Sequence, residues 1–368
     1  MSKPVKSSFR FLASVVIGFG ILAAVLYYVG WRRTLGEMAN LGACGILTVI
    51  ANVTLTVSLW TLSWWILLRS YGVIVPFRRV IGARLSGHAV TYMTPTLYFG
   101  GEPVRALMVS GASTAPTTRV FATIIVERFI SGVSMILFII LGSFYALLSP
   151  TIPADDKRLY LGGIAFITFW ILVGLINFAG NLKWISRIIR LLRRVFPRWQ
   201  SGLTRAADKV CETEDEVHYA FTRHWKATIA VLGLQTLATA FVYIRPQVFF
   251  YFASSTTFTF PQLSVLFMLN ILLSIFLWIT PGGLGTSEAG MIGVFHLILP
   301  RISSEGVVAY SLVYKFAEMI FVAVGLYYLV SRGVARIRHR RDFAVQDDSQ
   351  RTDPDGPAYC VGEEEKPD

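Results

Sequence analysis

Seven ionisable residues stand inside or beside apolar stretches where charge is expensive: Glu102, Arg105, Glu127, Arg128, Glu288, Lys315 and Glu318. Their spacing has a logic. Glu102 and Arg105 are three apart, on one face of any helix that contains both. Glu127 and Arg128 are adjacent and so point to different sides, which predicts pairing with other segments, Glu127 with Arg105 among them. Glu288 has no basic neighbour in sequence, which leaves pairing with Lys315, protonation, or capping of a broken helix. An ionisable residue at membrane depth marks a functional site by default. Arg105, Arg128 and Lys315 have the chemistry to hold a phosphate or other anionic headgroup, with the acids keeping the empty site near neutral. The bland alternative is that these charges only neutralise one another and hold helices together. Three further groups read as less committed. Arg84, four before His88, and Arg245, before Pro246, are expected to snorkel towards the membrane surface. His296 reads as a packed histidine rather than a proton relay.

The segments that must position these charges share a pattern. One reads Thr94-Pro95-Thr96-Leu97-Tyr98-Phe99-Gly100-Gly101-Glu102, the other Thr280-Pro281-Gly282-Gly283-Leu284-Gly285-Thr286-Ser287-Glu288. Each is Thr-Pro, six residues, Glu. Proline removes an amide donor and glycine permits a sharp turn, so Pro95, Gly100, Gly101, Pro281, Gly282, Gly283 and Gly285 predict two broken helices. Broken backbone at membrane depth is tolerated only inside protein or beside a wet cavity. Two ordinary spans merely kinked by Pro and Gly are the alternative.

Composition sets the surroundings. Hydrophobic residues make up 54% of the 368 and charged residues 15%, where a soluble domain carries about 25%. Runs long enough to cross a bilayer fall at roughly 11–30, 42–68, 117–148, 159–180, 226–252 and 305–330. Segments 80–109 and 262–300 are the interrupted ones. The net charge is +12, and the bases cluster at span ends and in one loop, a membrane pattern that speaks against nucleic acid as a partner. Lys3, Lys6 and Arg10, then Arg69, Arg78 and Arg79, then eight bases in 183–209, then the run from Arg332 to Arg341 mark the cytoplasmic side. Arg32 and Arg33, in the expected outer loop 31–41, run against the rule. The count closes only if each interrupted segment returns to the side it entered from, the two entering from opposite faces. The fold expected is therefore an all-α integral membrane protein with about six transmembrane helices plus two re-entrant broken helical hairpins in an inverted-repeat arrangement. Residues 1–335 form its membrane domain, with 183–225 as a basic amphipathic cytoplasmic loop. Residues 336–368 form a basic, then acidic tail, with disorder expected from Asp342. Both termini are expected in the cytoplasm, and the chain in the plasma (inner) membrane.

The run Gly100-Gly101-Glu102-Pro103-Val104-Arg105 resembles the GE-x-x-R motif of the lysylphosphatidylglycerol synthase transmembrane-region family. Pro281-Gly282-Gly283-Leu284-Gly285-Thr286-Ser287-Glu288 is similar to its PGG-x-G-x-x-E motif, and Glu127-Arg128-Phe129 and Tyr314-Lys315-Phe316 to its two later charged sites. Lys315 stands where the family pattern has Arg, and Tyr98-Phe99 replace smaller or apolar residues. The resemblance covers residues 10–335. It implies a flippase-like domain that binds or moves a polar lipid, anionic or glycosylated, at a midplane cavity, without the synthase domain, for which the residues after Leu329 leave no room. A membrane transferase using a lipid-linked substrate, with Glu102 or Glu288 as base, and a non-transporting scaffold of a lipid-biosynthesis complex are the competing readings. No ATP-binding loop, nucleophile elbow or metal-spaced histidine pair occurs. No cofactor and no metal are expected, lipid-biosynthesis enzymes are conceivable partners, and a homo-oligomer stays open.

Overall fold

The computed structural model describes residues 5–94, 100–113, 115–148, 182–195, 222–277 and 280–351, with scattered positions between 161 and 219. The described residues are largely helical, with no strand among them. In chain order the helices are α1 (Val5–Val29), α2 (Trp31–Asn40), α3 (Gly42–Ser70), α4 (Phe77–Met93), α5 (Glu102–Ser110), α6 (Thr117–Leu148), α7 (Trp184–Val195), α8 (Trp225–Tyr243), α9 (Arg245–Ser254), α10 (Phe260–Leu277), α11 (Thr286–Ile298) and α12 (Ser304–Arg351). A short 3-10 turn, Pro281–Gly283, separates α10 from α11.

Among the described residues, four segments are long and apolar enough to cross a membrane: Gly42–Ser70, Thr117–Leu141, Trp225–Ser254 and Ser304–Ser331. A fifth arises if α1 and α2 count as one bent span, since the chain turns by 85° between them. The bend falls at Gly30, whose φ of +100° suits glycine. The stretch 31–41 is thus a helix rather than the expected loop. Its polar and apolar residues alternate at helical spacing, and Arg33 meets Glu305 at the start of α12 at 3.3 Å. Of the expected span 159–180, most residues lie outside those described. At the C-terminal end α12 continues to Arg351, past Asp342 where disorder is expected. No Gly or Pro interrupts Val334–Arg351; residues 352–368 lie outside those described.

Each interrupted segment forms two helices that pack on each other, α4 on α5 and α10 on α11. They begin at opposite ends of the bundle. At one end Tyr71, after α3, stacks on His224, before α8, with ring centroids 5.4 Å apart, and α4 starts there, Phe77 against Trp65 at 5.5 Å. At the other end a Cβ on Gly45 would meet Phe252, and α10 starts beyond α9 with Phe258 against Phe250 at 5.4 Å. The packing is reciprocal. Helix α4 of the first segment lies on α12 of the second half, and α10 lies on α6 of the first. Helices α3 and α8 pair with each other. Among the described residues two large apolar cores result, with a small third cluster of Ala89, Tyr92 and Val322. One is built mainly from α3 to α6 around Trp64, Leu67, Val80 and Ile124, the other largely from α8 to α12 around Phe249, Phe250, Phe295 and Tyr310. Trp64 of the first core and Tyr314 of the second each face a guanidinium, Arg105 and Arg245, and burial of the apolar side chains is what holds polar groups at that depth.

Candidate functional site

The first network is built on Glu127. Glu127 is 2% exposed and accepts from two guanidiniums, Arg105 at 2.5 Å and Arg84. Gln235 on α8 donates to the same carboxylate at 3.3 Å and to Ser63 Oγ at 2.8 Å. Arg105 lies 4.1 Å above the Trp64 ring, which Thr123 fixes by accepting its indole N–H at 3.1 Å. Arg84 stacks near Trp60 at 5.7 Å and donates to the Trp60 carbonyl. The snorkelling expected of Arg84 does not occur. The side chain turns inward because a buried carboxylate offers a stronger partner than the interface.

Glu102 and Arg128 make the adjoining pair. Arg128 donates from Nε at 3.0 Å and Nη2 at 2.6 Å to one oxygen, Glu102 Oε1. Glu102 stands at the start of α5, after Gly101 as cap and before Pro103, whose fixed φ suits the first helical turn. The carboxylate also complements the positive end of that helix. The position depends on a backbone contact: a Cβ on Gly101 would collide with the Gly87 carbonyl of α4, so the two arms approach as only glycine allows. Among the described residues, Glu102 Oε2, Arg105 Nε and Gln235 Oε1 are buried without a hydrogen-bond partner. The Arg128 side chain is 45% exposed, and its Nη1 has no partner among the described residues.

The second network is built on Glu288, which is fully buried. Lys315 reaches it at 2.6 Å and Ser311 at 2.9 Å on Oε1, while Oε2 accepts from the Gly285 amide at 2.7 Å and from Ser287 at 3.3 Å. Of the three states open to Glu288, the structure combines two, since it pairs with Lys315 and caps α11. Lys315 also donates to the Gly283 carbonyl at 3.1 Å and to Ser287 at 2.7 Å. Gly285, at φ +79°, packs on the backbone of α1. Glu318 joins this network through its charge on Lys315 and pairs directly with Arg245 at 2.9 Å. Arg245 is held by Asn52 as well, and its guanidinium faces the Tyr314 ring at 5.1 Å. Its expected snorkelling is therefore also corrected, the cause being the acid one helix away.

The site residues thus form two networks rather than one. His88 lies between them, within electrostatic reach of Glu318, Arg84, Arg128 and Arg245. The tips of the broken segments touch, for a Cβ on Gly282 would strike the Tyr92 ring at the end of α4. Pro95 lies outside the described residues. Gly100 precedes the cap of α5, and Gly282 and Gly283 both take positive φ in the second turn. A cleft of about 690 Å³ lined by Ser70, Tyr71, Thr118, Arg119, Asp215, Tyr219 and His224 opens at the end of the bundle; none of these residues belongs to either network.

Sequence reasoning passed over Gln235, Ser63 and Ser311. Gln235 did carry a signal, a lone amide in the apolar stretch of α8, whereas serines are too common in spans to stand out. The chain matches the family model described as lysylphosphatidylglycerol synthase TM region over residues 11–325. It is 26% identical over 296 residues to a UPF0104 membrane protein of Pyrococcus horikoshii, covering 76% of this chain and 85% of that one. A UPF0104 membrane protein of Methanocaldococcus jannaschii is 21% identical over 280 residues, 76% and 82% of the two chains. One from Methanothermobacter thermautotrophicus is 32% identical over 114 residues, 31% and 34% of the two. No solved structure matches the chain.

Proposed function

The chain belongs to the lysylphosphatidylglycerol synthase transmembrane-region family, and from that premise we propose that it binds and moves a polar membrane lipid, sheltering an anionic headgroup against Arg128 while the acyl chains stay in the bilayer. One observation carries this reading. In a buried network whose other charges are engaged by partners, the Arg128 guanidinium alone combines 45% exposure with an unused donor. An arginine so placed offers the planar, charge-assisted donors that suit phosphate. The contact of the two tips and the opposite ends from which they start support an inverted-repeat arrangement with a site near the bilayer centre. Glu102, Arg105, Glu127 and Arg84 then shape the headgroup site. Glu288, Lys315 and Glu318 hold the facing half. The basic face of α7, with Ile185, Ile188 and Leu191 exposed beside Arg187 and Arg190, suits the surface of an anionic leaflet on the cytoplasmic side.

The test is lipid movement by the purified chain in proteoliposomes carrying a fluorescent phosphatidylglycerol, read by quenching from outside. Wild type moves the probe, and Arg128→Gln reduces the rate at least about tenfold, the loss of one charge-assisted contact. Equal rates for the two proteins, or none above empty vesicles for wild type, would overturn the proposal and favour the scaffold reading.

A further inference from the structure

The first network does not balance. Arg84, Arg105 and Arg128 face Glu102 and Glu127, three guanidiniums against two carboxylates, an excess of one positive charge. These five interact as a unit, since Arg84 feels Glu127, Arg128 and Glu102, and Arg105 feels Glu127, Arg84 and Arg128. The other network balances, with Lys315 and Arg245 against Glu288 and Glu318. Charges held at low dielectric are poorly screened, so an unmatched charge there is far more costly than in water. The excess is also accessible, because the unused Arg128 Nη1 belongs to the half-exposed side chain.

We infer that this site selects a headgroup with one negative charge, a phosphodiester, over a phosphomonoester that carries two. This rests on the lipid-binding reading above and adds the charge state of the ligand. A phosphodiester on Arg128 brings the network to zero, whereas a dianionic monoester leaves an uncompensated negative charge beside Glu102. That carboxylate already holds one oxygen buried without a partner. Glu102 therefore acts as the charge filter. Replacing it with the isosteric amide raises the excess to two, the charge a dianion needs.

The experiment measures binding of dioctanoyl phosphatidylglycerol and dioctanoyl phosphatidic acid to the purified full chain in detergent at pH 8. There a phosphomonoester, with a second pKa of about 6, is dianionic. Wild type is expected to bind the diester about tenfold more tightly. Glu102→Gln should bring the two lipids level or reverse their order. A second measurement needs no variant. Lowering the pH to 5.5 makes the monoester a monoanion, and the wild-type preference should shrink towards one. His88, Arg84, Arg105, Glu127, Glu318 and Arg245 face the site identically for both lipids, so the ratio isolates the ligand's charge. A chain-free glycerophosphodiester that bound as tightly as the lipid would keep the charge selection but move the ligand to the aqueous phase. Equal or tighter binding of phosphatidic acid at pH 8, with a ratio insensitive to acidification, would overturn the inference and leave the lipid reading intact. Binding of neither lipid would instead remove the reading on which it rests.

Discussion

The two hairpins carry the same device, a glutamate at the start of the second arm paired with a base on the following long helix, and differ in how completely it is satisfied. In the second hairpin both oxygens of Glu288 are engaged, by Lys315, Ser311, Ser287 and the Gly285 amide, and nothing of the carboxylate is exposed. In the first, Glu102 uses one oxygen, its other is buried without a partner, and Arg128 reaches half into open space. A saturated buried pair fixes geometry and has no bonding capacity left to offer. An unsaturated one next to an exposed arginine keeps capacity for a ligand. The comparison assigns clamp to one half and, under the proposal, binding to the other.

The largest effect should come from the clamp. Glu288→Gln strands the Lys315 ammonium in the interior, and removing one partner of a buried pair costs about 3–5 kcal/mol. Thermal unfolding followed by fluorescence-detected gel filtration should show a steep loss of folded protein. A variant as stable as wild type would break the comparison, because Glu288 would then not be the clamp. Next comes the tight approach that lets Glu102 reach its place. Gly101→Ala places a methyl on the Gly87 carbonyl, and the overpacking should cost about 3 kcal/mol. Gly293→Ala, where a Cβ meets nothing, is the control that should leave stability unchanged. A smaller loss, about 1–3 kcal/mol, is expected for Gln235→Leu, which removes donors from Glu127 and Ser63 in a buried setting. Its thermal shift should fall between those of Gly101→Ala and Gly293→Ala. The smallest effect on stability belongs to Glu102→Gln. Glu102 itself is buried, but Arg128 is half-exposed and can turn to water when the pair is broken, so the loss should stay at about 1 kcal/mol. That variant should melt within a few degrees of wild type. If it melted as early as Glu288→Gln, the two hairpins would both be clamps and the contrast would vanish.

Much of this was legible in one dimension. Pro and Gly inside apolar stretches located both breaks, because those residues cannot continue a helix quietly at membrane depth. The charged positions stood out because each is so costly in lipid that a sequence keeps it only with a partner. The pairing of Glu127 with Arg105 was readable as well, since adjacent Glu127 and Arg128 cannot share a partner on one face. What could not be read was direction. Arg84 and Arg245 look like surface arginines in sequence, near span ends, and nothing local distinguishes a side chain that rises to the interface from one that turns inward.

Sequence alone therefore determined the class of the chain, the location of its broken helices and the short roster of charges that must be buried together. It did so because hydrocarbon thickness and the cost of unpaired charge are properties of residue type and run length. Only the tertiary structure decided which acid meets which base. Glu127 gathers two arginines because α4, α5 and α6 converge on it, and Glu318 is drawn off to Arg245 because α9 and α12 touch. The excess of one positive charge in the first network, and the balance in the second, are consequences of that three-dimensional partition. The roster of residues is the same however it is divided, and only contact between helices distant in sequence divides it.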